Sequence, residues 1–102
     1  MTQEQKEGNR IIADFYEYYK MSGATAWCYD NNIMQFHLSF DWLNPVCFRW
    51  SRLFDSIPKE KIEEYLGLCH DLDSCAILYE IEPLFNQLVI NIKWYNQNIK
   101  IK

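Results

Sequence analysis

Apolar and polar positions alternate along this chain with two periods, and each period predicts a kind of element. The strongest signal lies near its end. From Ile81 to Asn98 (IEPLFNQLVINIKWYNQN), apolar residues recur at Ile81, Leu84, Phe85, Leu88, Val89, Ile92 and Tyr95. That is the i, i+3, i+4, i+7 spacing of one face of an amphipathic helix. Ile90 and Trp94, four apart, form a second apolar stripe off that face. A helix with two apolar stripes is covered on two sides or shows one of them to a partner. A first helix is predicted to open at the capping box Thr2-Gln3-Glu4-Gln5, where the Thr2 hydroxyl accepts from the Gln5 N–H and Gln5 reaches back. It runs to about Tyr19 and buries Ile11, Ile12, Phe15, Tyr16 and Tyr19, with Gly8 on the same stripe as a point of close approach. Ser22-Gly23 ends it in turn chemistry.

The period then changes. Thr25 to Tyr29 and Ile33 to Leu38 read as two short strands around Asp30-Asn31-Asn32, residue types that accept left-handed backbone and suit a hairpin loop. In the second strand Met34, Phe36 and Leu38 alternate with Gln35 and His37, which places His37 toward solvent. A lone hairpin is marginal in water, so it is expected to lie on helices.

A second helix is expected from Trp42 to Ser56, capped by Ser39 or Asp41, with Pro45 near its first turn. Trp42, Val46, Trp50, Leu53, Phe54 and Ile57 share its inner face. Pro58 opens a third helix to about Leu68, with Ile62, Tyr65, Leu66 and Cys69 inward, and Asp71-Leu72-Asp73-Ser74 breaks it. Cys75 to Tyr79 is too short to assign by periodicity. Pro83 requires the last helix to begin only a few residues earlier, or to kink there.

Composition narrows this to one domain spanning 1–102. The chain has 102 residues, 49% of them hydrophobic and 17% aromatic, with three Gly and three Pro. That is enough to bury a core without a metal or disulfides. The net charge of −4 disfavours a general nucleic-acid binder, which needs a basic footprint. The polar opening MTQEQKEGNR has no apolar stretch of the signal-peptide kind, and no apolar run is long enough to span a membrane. A cytosolic location is expected, with Cys28, Cys47, Cys69 and Cys75 as reduced thiols. In a secreted protein the same four would allow three pairings.

Three stretches carry a resemblance. SFDWLNPV, Ser39 to Val46, resembles the S-x-[DN]-W-L-M-P-V segment of a family of small uncharacterised proteins from Bacteroidetes and their phages. In that family the segment follows a short strand and opens a helix. Asn44 stands where Met is usual, while Trp42, Leu43, Pro45 and Val46 match. Ile81 to Asn98 is similar to the family's closing helix, I-E-A-V-Y-N-A-V-V-E-F-I-K-W-Y-N, and GNRIIADFYEY to its opening G-N-K-L-I-A-E-F. The resemblance implies a compact α+β domain of the bacterial cytosol, from a phage or mobile element. It supplies no catalytic residues.

Candidate chemistry is sparse. Cys69-His70-x4-Cys75, with Asp71 and Asp73 between, is the one local cluster of metal-ligand types, but it lacks the paired cysteines of structural zinc sites. Free thiols packed as small hydrophobes explain it as simply. Cys69 or Cys75 with His37 or His70 could make a nucleophile and base. Adjacent Cys69 and His70, however, point about 100° apart on a helix, and no glycine-rich oxyanion loop accompanies them. Glu60, Glu63 and Glu64 alternate with Lys59 and Lys61, as on a solvated face, and Glu80/Glu82 is a bare carboxylate pair. Arg49 and Arg52, with Trp50 between, form a small basic-aromatic element. There is no G-x-G-x-x-G, no G-x-x-x-x-G-K-[ST], no H-E-x-x-H and no G-x-S-x-G.

The expectation is an α+β domain of about four helices, the first, second and last forming the core, with one β-hairpin packed against them. It is expected not to be an enzyme and to need no cofactor. The leading reading is a cytosolic interaction or accessory protein that binds another protein or self-associates, because Ile90, Trp94, Tyr18, Phe48 and Tyr29 exceed what one small core holds. Ile90 and Trp94 are its candidate interface. The alternatives are a metal- or thiol-dependent protein using Cys69, His70 and Cys75, and a weak nucleic-acid binder using Arg49, Arg52 and Trp50.

Overall fold

The last helix is the axis on which the others lean. The computed structural model describes residues 2–17, residue 28 and residues 34–100. Their α-helices are α1 (Gln3–Tyr16), α2 (Phe40–Ser51), α3 (Ile62–Ile77) and α4 (Ile81–Tyr95). Short 3-10 turns occupy Phe54–Ser56 and Lys59–Lys61, and a π-helical turn follows at Asn96–Lys100. Helices α1 and α3 make the most extensive packing against α4, and α2 touches both α1 and α4 more lightly. The expected α+β class is therefore corrected: among the described residues the fold is all-helical.

The hairpin fails for a local reason. Thr25 to Asn32 lies outside the described residues except for Cys28, which is helical and half-buried. Of the second strand, residues 34–38 are described, and they fold back on themselves. The Leu38 and Ser39 N–H groups both donate to the Gln35 carbonyl, at 3.0 and 3.1 Å. The Phe36 N–H donates to the side chain of Asn9 on α1 instead of to a neighbouring strand, at 2.9 Å. The turn keeps Met34 and Phe36 inside, as the alternation required, but it exchanges the next two positions. Leu38 is 66% exposed and His37 only 9%.

Each helix has an identifiable start. At α1 the capping box is complete: the Gln5 N–H donates to Thr2 Oγ1 at 3.1 Å, and the Thr2 N–H to Gln5 Oε1 at 2.9 Å. The helix stops at Glu17, whose left-handed backbone returns its N–H to the Ala13 and Asp14 carbonyls; Tyr18 and Tyr19 lie outside the described residues. Ser39 takes the cap position of α2, although its hydroxyl makes no capping bond. Pro45 sits in the second turn rather than the first, on the exposed side. Both Pro45 and Asp41, whose carbonyl it deprives of a donor, are exposed residues. Helix α2 also ends earlier than expected, at Ser51, and Leu43 rather than Trp42 is its fully buried residue in the first turns.

Helix α3 runs straight through Asp71-Leu72-Asp73-Ser74, where a break is expected. Leu72 continues the spacing of Tyr65 and Cys69 and is buried, so tertiary packing holds the helix where local propensity is weak. Consequently α3, and not only the first, second and last helices, builds the core.

That core is aromatic at its centre. Trp50 is fully buried, with ring centroids 5.0 Å from Tyr65, 6.4 Å from Trp94 and 6.5 Å from Phe15. The Tyr65 hydroxyl donates to the Trp50 carbonyl at 2.6 Å, tying α3 to the end of α2. Burial pushes the Tyr65 phenol up, and its contact with Cys69 adds to the effect. A buried polar side chain serves the α3–α4 seam: Asn91 donates to the Leu68 carbonyl at 3.1 Å and accepts from Gln87 at 2.9 Å. Gly8 allows α1 to lie close on α4, since a β-carbon there would come within 2.5 Å of the Phe85 ring.

Candidate functional site

Helices α2 and α3 are consecutive, yet they do not close on each other. The Trp50–Tyr65 contact joins them at the end near their connection, and both lean on α4. Between them runs a groove of about 330 Å³. Asn44, Cys47, Phe48 and Ser51 of α2 form one wall, and Cys69, Leu72, Asp73 and Ala76 of α3 the other; Trp50 and Leu84 close the floor. Both walls are i, i+3, i+4, i+7 rows, so each helix carries a second, milder apolar face beside its core face. Phe48 stands at the rim, 62% exposed. Just past Ala76, α3 ends at Ile77, and Ile77, Leu78 and Tyr79 are all exposed.

The groove is electronegative and chemically quiet. Asp73 is its one charged residue, and no described cation lies within ion-pair distance of it. The Cys47 thiol is pushed up to about 12, chiefly by burial and further by the charge of Asp73, so at neutral pH it is protonated and a poor nucleophile. All four cysteines are free.

The residues singled out from sequence are dispersed. Cys69 faces the groove, His70 is exposed and Cys75 is half-buried, and all three sit on one helix in different directions. Among the described residues no three His, Cys, Asp or Glu side chains converge as ligands for an ion. His37 lies in a different cleft, beside Glu4, Glu82 and Phe85, so it is no base for Cys69 in the α2–α3 groove. Trp50 belongs to the core and offers no ring to a base. Arg49 lies 5.5 Å from the centre of the Tyr16 ring and 4.0 Å from Glu17, while Arg52 covers Phe48 at 5.2 Å. The Ile90/Trp94 stripe divides. Ile90 is 53% exposed, whereas Trp94 is half-buried against Trp50, with its indole N–H donating to Glu64 at 3.3 Å. Tyr18 and Tyr29, part of the expected apolar surplus, lie outside the described residues.

Sequence reasoning missed three things. The groove rows were legible as i, i+3, i+4, i+7 sets, but the stronger core stripes mask them. Asn91 and Asn9 are polar residues buried at helix interfaces; their spacing from Leu84 and Leu88, and from Ile12 and Tyr16, places them beside the apolar stripes, but their polar side chains read as solvent-facing. Asn9 is the more unusual. Its Oδ1 accepts from the Phe36 N–H at 2.9 Å, which leaves its amide nitrogen to meet His37 Nδ1, also at 2.9 Å. The ring therefore accepts at Nδ1, and the neutral form carries its hydrogen on Nε2. Burial, together with the positive α-amino group, holds the His37 pKa below its ordinary value of 6.5.

No helix among the described residues is long and apolar enough to cross a membrane. No family model, no curated protein and no solved structure matches the chain.

Proposed function

We propose that this is a small non-enzymatic interaction protein of the cytosol, whose partner is a segment of another protein docking as an amphipathic helix, with Lys or Arg on its flank, into the α2–α3 groove. The observation that carries the reading is the pair of facing i, i+3, i+4, i+7 rows over an apolar floor. A helix is about 10–12 Å across and binds such grooves through anchors at i, i+3 or i+4, and i+7. The basic flank follows from Asp73 in the wall and from the net charge of −4. Phe48 at the rim and Tyr79 beyond the end of α3 are large, rigid side chains of the kind that anchor interfaces. The resemblance to small Bacteroidetes and phage proteins adds the setting, an accessory protein of a bacterium or its phage.

Helical peptides selected from a display library on the whole protein are expected to carry that apolar spacing and a basic flank. Phe48→Glu and Ala76→Arg should each weaken them about tenfold or more, the effect of losing ~1.4 kcal/mol at an anchor. Both side chains are exposed, so neither change disturbs the core. Selected peptides that bind both variants as tightly as the parent would end the reading. Self-association in light scattering, abolished by the same substitutions, would replace the partner with a second copy of this chain.

A further inference from the structure

The Asn9–His37 pair has a property that goes beyond docking. We propose that it is a proton-operated latch, which ties the Gln35–Leu38 turn and the start of α2 to α1 while the imidazole is neutral and lets go when the ring is protonated. The geometry admits one polarity only. Phe36 N–H needs an oxygen, so it takes Asn9 Oδ1 and fixes the amide's orientation. The amide nitrogen is then a donor aimed at His37 Nδ1. Protonation puts a hydrogen on Nδ1, and two donors face each other across 2.9 Å. Asn9 and His37 are both nine-tenths buried or more, so the lost bond is not replaced in place by solvent. To be protonated the ring must swing out, and the turn whose middle it occupies must move with it.

Burial outweighs the two carboxylates that line the cleft and keeps the ring neutral in place. The charged side chains that line its cleft are Glu4 at the start of α1 and Glu82 at the start of α4, and the positive charge of the α-amino group opposes protonation. Gln35 to Ser39 contain no other titratable side chain. The same polarity disfavours a metal on Nε2, because a metal-bound imidazole needs an acceptor for its Nδ1–H and Asn9 presents a donor. The linkage has a definite sign. A histidine held below its ordinary pKa adds stability that is fully present above pH 6.5, is lost as pH falls toward the folded-state value, and changes no further below it.

The test is a pH titration of the intact protein by NMR. At pH 8 the imidazole nitrogens of His37 should report hydrogen on Nε2 and none on Nδ1. The ring should titrate below 6.5, and the amides of Gln35 to Ser39 should move with the same midpoint. Asn9→Asp inverts the device: one carboxylate oxygen still accepts from Phe36 N–H, and the other accepts from a protonated Nδ1. In that variant the midpoint should rise above 6.5, and the turn should hold at pH 6. Hydrogen on Nδ1 in the parent at pH 8 would overturn the proposal, as would turn amides indifferent to the ring. A midpoint in Asn9→Asp no higher than the parent's would do the same. The parent spectra decide the matter even if that variant does not fold.

Discussion

Glycine shows how far a residue's role depends on what lies opposite it. Gly8 and Gly67 are both inside helices, and Ala is the better helix former by about 1 kcal/mol. A β-carbon at Gly67 meets nothing within 4 Å, so Gly67→Ala should stabilise the protein by about 0.5–1 kcal/mol. At Gly8 the same carbon would press into the buried Phe85 ring at 2.5 Å and against Val89 at 3.2 Å. Overpacking costs ~1–3 kcal/mol, so Gly8→Ala should come out destabilising, by about 1 kcal/mol net of the helix gain. Urea unfolding of the two variants checks the opposite signs. Tyr79 makes the complementary case. It holds left-handed backbone, φ 55°, just past the end of α3, where glycine usually sits, and its side chain is 86% exposed. Tyr79→Gly should stabilise by ~0.5–1 kcal/mol, since relief of the left-handed strain outweighs the extra freedom of the unfolded chain. If Tyr79 belongs to the docking surface, the same variant should bind the selected peptides less tightly.

At the scale of elements, the starts of α1 and α4 are legible in the sequence, while the stops of α1, α2 and α3 fall elsewhere than local chemistry places them. The capping box of α1 is written in four consecutive residues, and Thr2→Ala should cost about 1 kcal/mol. Local chemistry also suggests a break at Asp71–Ser74, and there Leu72 overrides it by burial. Asn91 is the reverse case, a polar residue that reads as outward-facing until α3 is packed against it. Asn91→Ala removes the bond to the Leu68 carbonyl and leaves a small void. It should destabilise by about 2 kcal/mol, and the loss should fall on the α3–α4 seam, seen as faster amide exchange along α3.

For the whole molecule, the clearest prediction concerns pH. Between pH 7.5 and 5.5 the urea midpoint should fall, because the unfolded chain takes up the His37 proton more readily than the folded one. His37→Gln does not titrate, and its midpoint should be flatter across that window. An equal slope in both proteins would assign the dependence to other groups. The core has one further consequence at this scale. Trp50 gathers Phe15, Tyr65 and Trp94, and Trp50→Ala should cost at least about 3 kcal/mol, a large share of the stability of a domain this size.

Periodicity by itself determined that α1, α2 and α4 are helices and fixed the inner face of the last, because a 3.6-residue apolar repeat buries itself in only one way; it did not determine the second half of α3. It determined the capping box too, because that motif is local. It misassigned Met34 to Leu38, since alternation over five residues fits a strand and a turn equally until a partner strand is found or denied. Only the tertiary structure decided that Phe36 N–H bonds to Asn9 and that His37 is buried while Leu38 is not. It alone separated Ile90 from Trp94 and opened a groove between α2 and α3. Each of these depends on which surface another element presents, and that information lies in residues distant along the chain.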